Sequence, residues 1–405
     1  PWSSRKHRPN RNQLEQEWRK EMTVTVAKGF LAAGVKAGLK ASGNKDLALV
    51  VNQGPLKSAA VVFTTNRCQA NPIIWSKQVI SDGEVSAIVL NSGGANCYTG
   101  PQGFQTTHST AEKVAEELGI SAGDVLVCST GLIGEQLDLA KLTSGVTAAV
   151  AELSADAGQL AAEAIMTTDS VSKTAHQVSS NGWSVGGMAK GAGMLAPGLA
   201  TMLVVVTTDA VVDSATLDKT LRAATRVTFD RLDSDGCMST NDQVTLMASG
   251  ASGVTPDQDE FQAAVTAVCH DLAQQLLRDA EGSSHDIAIE VVNAASEDDA
   301  VEVGRSVARN NLFKAAIYGN DPNWGRILAA VGVTKAAFDP YDIDVEINGV
   351  SVSRKGQPDQ SRDLVDLTPR AVQIRISLNA GSASATIYTN DLTHEYVTEN
   401  SAYSS

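Results

Sequence analysis

Short apolar runs recur along the chain and predict β-strands. Each run is rich in Val, Ile and Leu and is bounded by turn-forming residues, the pattern of strands with a buried face. The predicted strands are 47–52, 59–64, 86–91, 124–128, 202–208, 286–293, 342–347 and 371–378.

Amphipathic stretches lie between some of these strands and predict helices. Their apolar residues recur at spacings of three and four, most clearly over 108–118, 256–280 and 297–311. The predicted strands and helices are mixed along the chain, with no regular strand–helix–strand alternation. The pattern therefore predicts a layered α/β sandwich rather than a doubly wound parallel sheet.

The composition narrows the class of protein. The chain has 405 residues, 43% of them hydrophobic, which suffices for one large or two ordinary domains. Its net charge of −14 argues against a general nucleic-acid or acidic-membrane surface. Because no apolar run approaches the roughly 18 residues that span a bilayer, no transmembrane helix is predicted.

The cysteines and histidines show neither disulfide nor metal-site spacing. Five cysteines and six histidines are scattered along the chain, with no CxxC pair and no HExxH motif. An odd number of distant cysteines favours structural thiols in a reducing compartment. We therefore predict a cytoplasmic protein without a metal site.

The first 21 residues differ from everything after them. They carry six Arg or Lys against three Glu and contain no apolar core of a secretory signal. We interpret 1–21 as a leader, tag or extension outside the fold. A basic RNA-binding arm is the alternative.

The glycine-rich stretch GGMAKGAGMLAPG, at 186–198, lacks the spacing of a nucleotide-binding motif. Gly186 to Gly191 has the spacing of a P-loop but is followed by Ala192 instead of Lys, and GAG lacks the third glycine of a dinucleotide fingerprint. We predict a loop of small residues that admits a small ligand beside Lys190. A plain mobile loop is the alternative.

Thr201 stands at the boundary between that stretch and a predicted strand. A Thr hydroxyl is a weak nucleophile unless a base lies beside it. Cleavage of the Ala200–Thr201 bond would supply one, because the new α-amine has a pKa of about 7.7–8.0. A strand-edge Thr without chemistry is the alternative.

Other motifs each carry a weaker signal. The turn of Ser129, Thr130 and Gly131 follows a predicted strand, where backbone amides can form an oxyanion hole. Thr167 follows an alanine-rich helix, and Glu281 ends the helix 256–280. An ordinary turn and a solvated cap are the alternatives.

Together these segments resemble the ornithine acetyltransferases, also called glutamate N-acetyltransferases. The resemblance runs from about residue 29 to the last residue. The matching segments are KASGNKDLALVVNQGP, LNSGGANCYTGPQG, CSTGLIGE, AIMTTD, GGMAKGAGMLAPGLATMLVVVTTDA, FDRLDSDGCMSTND, DAEG, GNDPNWGRILAAVG and YVTENSAYSS.

The resemblance implies a self-processing acetyltransferase. It implies cleavage between Ala200 and Thr201, an α chain of 22–200 and a β chain of 201–405, assembled as α2β2. Thr201 would carry acetyl from N2-acetylornithine to glutamate. The other implied site residues are the oxyanion pair Thr130 and Gly131 and the substrate-binding residues Thr167, Lys190, Glu281, Asn400 and Ser405.

The same resemblance implies an α-β-β-α sandwich of the N-terminal-nucleophile type. A smaller α/β lobe would occupy about 285–405, and the C-terminal NSAYSS would dock into the site. No cofactor is expected; whether acetyl-CoA is a second donor is left open. A related self-processing aminopeptidase or amidase, and a non-enzymatic small-ligand binding protein, are the alternatives.

Overall fold

A computed structural model describes residues 23–196 and 202–402. Its first sheet has four strands in the order β1-β2-β4-β5. β4 and β5 run parallel, and the other pairs are antiparallel. The strands are β1 (Phe30–Val35), β2 (Leu47–Asn52), β4 (Ala87–Asn91) and β5 (Val125–Ser129).

The second sheet has five strands in the order β3-β9-β8-β7-β6. β8 and β9 run parallel, while β7 pairs antiparallel with both β6 and β8. The strands are β3 (Ala59–Phe63), β6 (Lys173–Val178), β7 (Ser184–Lys190), β8 (Leu203–Thr208) and β9 (Gln243–Ala248).

The two sheets pack face to face around a shared core. Ile88 and Leu90 of the first sheet belong to the same buried cluster as Val205 and Met247 of the second. Alternate residues of each strand face outward and are covered by helices, because side chains alternate between the faces of a sheet. The α-β-β-α sandwich is therefore confirmed.

The helices that cover these faces are amphipathic. On the first sheet they include α2 (Gly100–Leu118) and α3 (Leu139–Ala151), and on the second α5 (Ser214–Val227) and α6 (Gln258–Arg278). Two shorter helices are α1 (Asn71–Val79) and α4 (Gly158–Ala164).

Side-chain caps mark where several helices begin. Asp138, Asp213 and Asp257 each accept a backbone N–H from the first turn of α3, α5 and α6. Such caps satisfy amides that have no partner inside the helix.

Residues 286–390 form a third sheet with its own hydrophobic core. Its strand order is β13-β12-β11-β14-β10-β15. The strands are β10 (Asp286–Ala294), β11 (Asp344–Ile347), β12 (Val350–Arg354), β13 (Gln357–Pro358), β14 (Ala371–Ser377) and β15 (Ala383–Asn390). The helices of this region are α7 (Glu297–Ala308), α8 (Asn311–Tyr318) and α9 (Trp324–Val331). A further helix, α10 (His394–Ala402), follows it.

One sequence prediction about the glycine-rich stretch is wrong. Gly186, Gly187 and Lys190 lie in the buried strand β7, not in a loop. A Cβ on Gly186 would lie 2.2 Å from the carbonyl oxygen of Thr23, so the glycine lets that segment pack directly on the strand. The irregular segment begins only at Gly191.

Two helix predictions needed different bounds. The predicted helix 108–118 is the second half of α2, which begins at Gly100 with Pro101 in its first turn. The predicted helix 297–311 ends at Ala308, and a new helix, α8, begins at Asn311 with Asn310 as its cap. Among 23–196 and 202–402, no helix is long and apolar enough to cross a membrane.

Candidate active site

The turn after β5 is held rigidly by backbone hydrogen bonds. The Thr130 amide donates to the carbonyl of Asn91 and its carbonyl accepts from Gly94, both at 3.0 Å. Gly131 has a φ of 134°, and a Cβ there would lie 2.7 Å from the Gly94 nitrogen. Only glycine fits this position, which fixes the direction of the turn.

Lys190 brings two of the predicted site residues together. Its ammonium is almost fully buried at the end of β7 and donates to the hydroxyl of Thr167 at 2.6 Å. The hydroxyl of Thr130 lies 3.4 Å from the same nitrogen. Three residues from distant segments thus form one cluster, which we call the lysine cluster.

Asp169 neutralises this buried charge. Its carboxylate lies 3.9 Å from Lys190 and accepts the backbone N–H groups of Thr167 at 3.0 Å and Gly191 at 2.6 Å. A second buried lysine, Lys173, bonds Asp169 at 2.6 Å and Asp279 at 2.6 Å. The acids fix both lysines, as buried charges require.

The pKa values follow from this network. Burial raises the pKa of Asp169, but Lys190 and Lys173 outweigh it and hold that pKa below its ordinary value. Burial lowers the pKa of Lys190, although Asp169 and, more weakly, Glu281 oppose the shift.

Glu281 lies beyond the end of α6, against the segment that follows β7. Its backbone N–H donates to the carbonyl of Ala192 at 3.0 Å. A Cβ on Gly193 would lie within 2.6 Å of both carboxylate oxygens, so a side chain at 193 would displace the carboxylate. The glycine there leaves room for Glu281.

The C-terminal helix α10 packs against the same turn. The side-chain amide of Asn400 donates to the Glu281 carboxylate at 2.9 Å. The hydroxyl of Thr393, just before α10, donates to the carbonyl of Gly282 at 2.6 Å. The structure thus brings Glu281 and Asn400 together; we call them the glutamate pair.

Three predicted residues, Ala200, Thr201 and Ser405, lie outside the described residues. The nearest described neighbour of Thr201 is Met202, whose N–H donates to the Asp242 carboxylate at 3.1 Å. Leu203, the residue after Met202, pairs with Lys190 where strands β7 and β8 meet. Residues 202 and 203 therefore lie beside the lysine cluster.

Sequence reasoning missed the acids and amides that hold this arrangement. Asp169, Asp279 and Asp242 all fall inside segments that carry the resemblance, yet they were assigned no role. Asn241, beside Asp242, donates to the carbonyl of Ser129 at 2.8 Å. A buried polar residue inside a matching motif was the available signal, but the partners of Asp279 and Asn241, which are Lys173 and Ser129, lie more than 100 residues away.

A cavity of about 250 Å³ opens next to Glu281. Asp235, Lys314 and Tyr396 also line it. Burial lowers the pKa of Lys314 to about 8 and raises that of Asp235. A wall with both charge signs suits a small zwitterion better than an apolar ligand. In the described part of the chain, no cluster of His, Cys, Asp and Glu could hold a metal ion.

Comparisons with known proteins agree with this picture. The ArgJ family profile matches residues 31–405. "Arginine biosynthesis bifunctional protein ArgJ" of Streptomyces coelicolor is 64% identical over 384 residues, covering 95% of this chain and all of that protein. The corresponding protein of Thermobifida fusca is 61% identical over 383 residues, with the same coverage.

Among solved structures, this chain is similar to ornithine acetyltransferase of Mycobacterium tuberculosis, which was solved with ornithine. The two are 50% identical, with a TM-score of 0.43. The match covers 45% of this chain and 96% of that one.

Proposed function

Because this chain belongs to the ArgJ family, the bifunctional acyltransferases of arginine biosynthesis, we propose that it transfers acetyl from N2-acetylornithine to glutamate through an ester on Thr201. The observation that carries the proposal is the lysine cluster. Lys190, Thr130 and Thr167 meet where β7 pairs with Leu203, two residues beyond Thr201.

The first step in this proposal is self-cleavage. The Thr201 hydroxyl attacks the carbonyl carbon of Ala200, and the peptide bond is replaced by an ester. Water then hydrolyses that ester and leaves Thr201 with a free α-amine. The products are the α chain ending at Ala200 and the β chain beginning at Thr201.

The second step is acetyl transfer. The α-amine, with a reference pKa of about 7.7–8.0, takes the Thr201 hydroxyl proton as that oxygen attacks the acetyl carbonyl. Thr130 and Gly131 stabilise the negative oxygen of the tetrahedral intermediate, and ornithine leaves as its nitrogen takes that proton from the Thr201 α-ammonium. The amine of glutamate then attacks the acetyl ester, the bond from the acetyl carbon to Thr201 Oγ breaks, and the proton lost by that amine goes to Oγ, which regenerates Thr201.

Substrate recognition divides between the two groups of residues. The buried ammonium of Lys190 and the hydroxyl of Thr167 meet the α-carboxylate of the substrate. Glu281, with Asn400 and Ser405, meets the side-chain ammonium of ornithine. Opposite charges at opposite ends orient an amino acid in one direction.

Further elements of the proposal concern assembly and location. We expect an α2β2 assembly in the cytoplasm, with no cofactor and no nucleic-acid or membrane partner. Acetyl-CoA is the candidate for a second acetyl donor, because the related proteins are named bifunctional. A steady-state assay with acetyl-CoA and glutamate, without N2-acetylornithine, tests this point.

Denaturing electrophoresis of the purified protein tests the main proposal. Wild type should give two fragments of about 200 residues each. Thr201→Ala removes the nucleophile and should give one uncut, inactive chain, while Thr201→Ser keeps a hydroxyl and should still be cut. An uncut wild-type chain with full transferase activity would contradict the proposal.

The alternative enzyme is a self-processing amidase that uses water as the acyl acceptor. It shares the cleavage but not the acceptor. Ornithine release from N2-acetylornithine should therefore depend on added glutamate for the transferase. Release at the same rate without glutamate would instead favour the amidase.

A further inference from the structure

The proposed function leaves one group of the second substrate without a partner. Ornithine and glutamate both carry an α-carboxylate, but their side chains end in opposite charges. The carboxylate of Glu281 suits the ammonium of ornithine and would repel the side-chain carboxylate of glutamate. A site that binds the two substrates one after the other therefore needs a cation close to Glu281.

Lys314 lies in the wall of the cavity that Glu281 also lines. It belongs to helix α8, and its side chain is buried, with 5% of the residue exposed. The cavity has a volume of about 250 Å³, which suits an amino acid better than a nucleotide or another large ligand. Lys314 is therefore a cation in the same cavity as the acid proposed to bind ornithine.

The ammonium of Lys314 is held by neutral oxygens. It donates to the backbone carbonyl of Ser234 and to the hydroxyl of Thr389, the latter at 3.1 Å. Ser234 also lines the cavity, so the ammonium lies at the cavity wall. An ammonium has three N–H donors. Among residues 23–196 and 202–402, the third donor of Lys314 has no partner, and no carboxylate forms a direct ion pair with it.

Three carboxylates lie close enough to affect the charge of Lys314, and each of them is bonded to other donors. They are Asp233, which pairs with Arg309 at 2.7 Å, Asp235, which accepts the N–H groups of Met194 at 2.7 Å and Cys237 at 3.0 Å, and Asp391, which pairs with His285 at 2.7 Å. Burial lowers the pKa of Lys314 to about 8 in spite of these acids. They do not replace a direct partner, because the energy of a charge pair falls with distance.

Another buried lysine, Lys173, shows how a fully paired ammonium is built in this protein. It contacts two carboxylates, those of Asp169 and Asp279, each at 2.6 Å. A buried charge is costly unless it is paired. Lys314 is also buried, but in the described part of the chain it has no carboxylate in contact. A carboxylate supplied by a ligand would therefore be its first direct counter-charge.

We propose that Lys314 binds the side-chain carboxylate of glutamate in this cavity and thereby selects glutamate as the acetyl acceptor. The inference rests on the proposed function, because it names the residue that recognises the second substrate proposed there. Glu281 meets the ammonium of ornithine, and Lys314 meets the carboxylate of glutamate after ornithine has left. A ping-pong cycle permits this division, since the two substrates never occupy the site together.

The test compares glutamate with glutamine as acetyl acceptors of the full-length protein, because glutamine has nearly the same shape and no side-chain charge. Lys314→Met removes the ammonium and keeps most of the length of the side chain. We expect kcat/KM for glutamate to fall about 10- to 100-fold, the usual contribution of a hydrogen bond to a charged group. For glutamine, kcat/KM should change by less than about threefold, so the preference for glutamate should fall by nearly the whole factor.

The donor half of the cycle is the internal control. In a ping-pong mechanism, kcat/KM for N2-acetylornithine reports only acetylation of the enzyme, so it should stay within about threefold of wild type in Lys314→Met. Lys57→Met is the matched control, because the Lys57 ammonium also donates to a backbone carbonyl, that of Asn52, and burial lowers its pKa as well. This variant should use both acceptors as wild type does.

A second variant separates the charge of Lys314 from its hydrogen bonds. Lys314→Gln keeps N–H donors for the oxygens of Ser234 and Thr389 but has no charge, so it should lose the preference for glutamate as Lys314→Met does, with folding checked by circular dichroism. A preference that falls less than about tenfold in the folded variants, or a wild type that does not prefer glutamate over glutamine, would overturn the inference. A wild type without any glutamate-dependent acetyl transfer would instead overturn the proposed function itself.

Discussion

The two halves of the candidate site are built differently. The lysine cluster is sealed: Lys190 is 1% exposed, and its partner Asp169 is buried with four hydrogen-bond or charge partners. The glutamate pair is open, because Glu281 is half-buried and Asn400 is exposed. Both halves contain charged side chains, but only those of the lysine cluster are shielded from water.

The difference in burial determines how much each half can contribute to substrate binding. Charges in a buried network interact strongly and are screened little by salt, whereas exposed pairs contribute about 1 kcal/mol or less. The lysine cluster is therefore expected to fix one end of the substrate rigidly. The glutamate pair is expected to tune affinity for the other end.

The largest effect should come from breaking the sealed half. Asp169→Asn leaves Lys190 and Lys173 without their shared counter-charge, so we expect a loss of about 3–5 kcal/mol in the free energy of unfolding, measured in urea. The control is Asp213→Asn, whose exposed side chain caps α5. Because Asn caps as well as Asp, that variant should lie within about 0.5 kcal/mol of wild type.

The same variant has a defined pH dependence. The pKa of Asp169 in the folded protein lies below its unfolded value, so its stabilisation is fully present above the unfolded pKa of about 3.9. It is lost as the pH falls through the folded pKa. The difference between wild type and Asp169→Asn should thus be constant near pH 7 and shrink below about pH 4; a constant difference down to pH 2 would contradict the role of this charge.

An intermediate effect is expected from the open half. Glu281→Gln removes the charge proposed to meet the ornithine ammonium, so KM for N2-acetylornithine should rise about tenfold, or about 1.4 kcal/mol, with little change in kcat. Steady-state kinetics at low and high salt measure this. Glu395→Gln, on the exposed first turn of α10, should leave KM unchanged; an equal rise there would remove Glu281 from substrate recognition.

The smallest effect should come from Asn400→Ala. Its hydrogen bond to Glu281 is exposed, so its loss should cost about 0.5–1 kcal/mol and raise KM two- to fivefold. Ser401→Ala is the neighbouring control, because among the described residues its hydroxyl donates within the helix, to the carbonyl of Thr398. If Asn400→Ala matched the tenfold effect of Glu281→Gln, the open half would be as tightly organised as the sealed one.

Much of the fold was readable from the sequence. Strands such as 47–52 and 371–378 were found within a residue of their bounds, because continuous or alternating apolar runs report burial directly. Strand β7 was missed because its glycines resemble a loop. Their reason is tertiary: Gly186 admits the backbone of Thr23, which no local pattern reveals.

The site was readable only in part. The resemblance named Thr130, Thr167 and Lys190, and the structure brings these three together. Their supports could not be predicted, because Lys173 meets Asp279 and Asn241 meets Ser129 across more than 100 residues. Hydrogen bonds between distant segments depend on topology, which short motifs do not encode.

The strand order of the second sheet has a consequence for the separated chains. In the order β3-β9-β8-β7-β6, the edge strands β3 and β6, together with β7, come before the proposed cleavage site in the sequence. The adjacent central strands β8 and β9 come after it. Six residue pairs join β7 to β8, and five join β3 to β9. The proposed fragments could separate only if the hydrogen bonds between β7 and β8 and between β3 and β9 were broken. A cut protein should therefore keep its intact mass in native mass spectrometry, and its two fragments should unfold in a single transition.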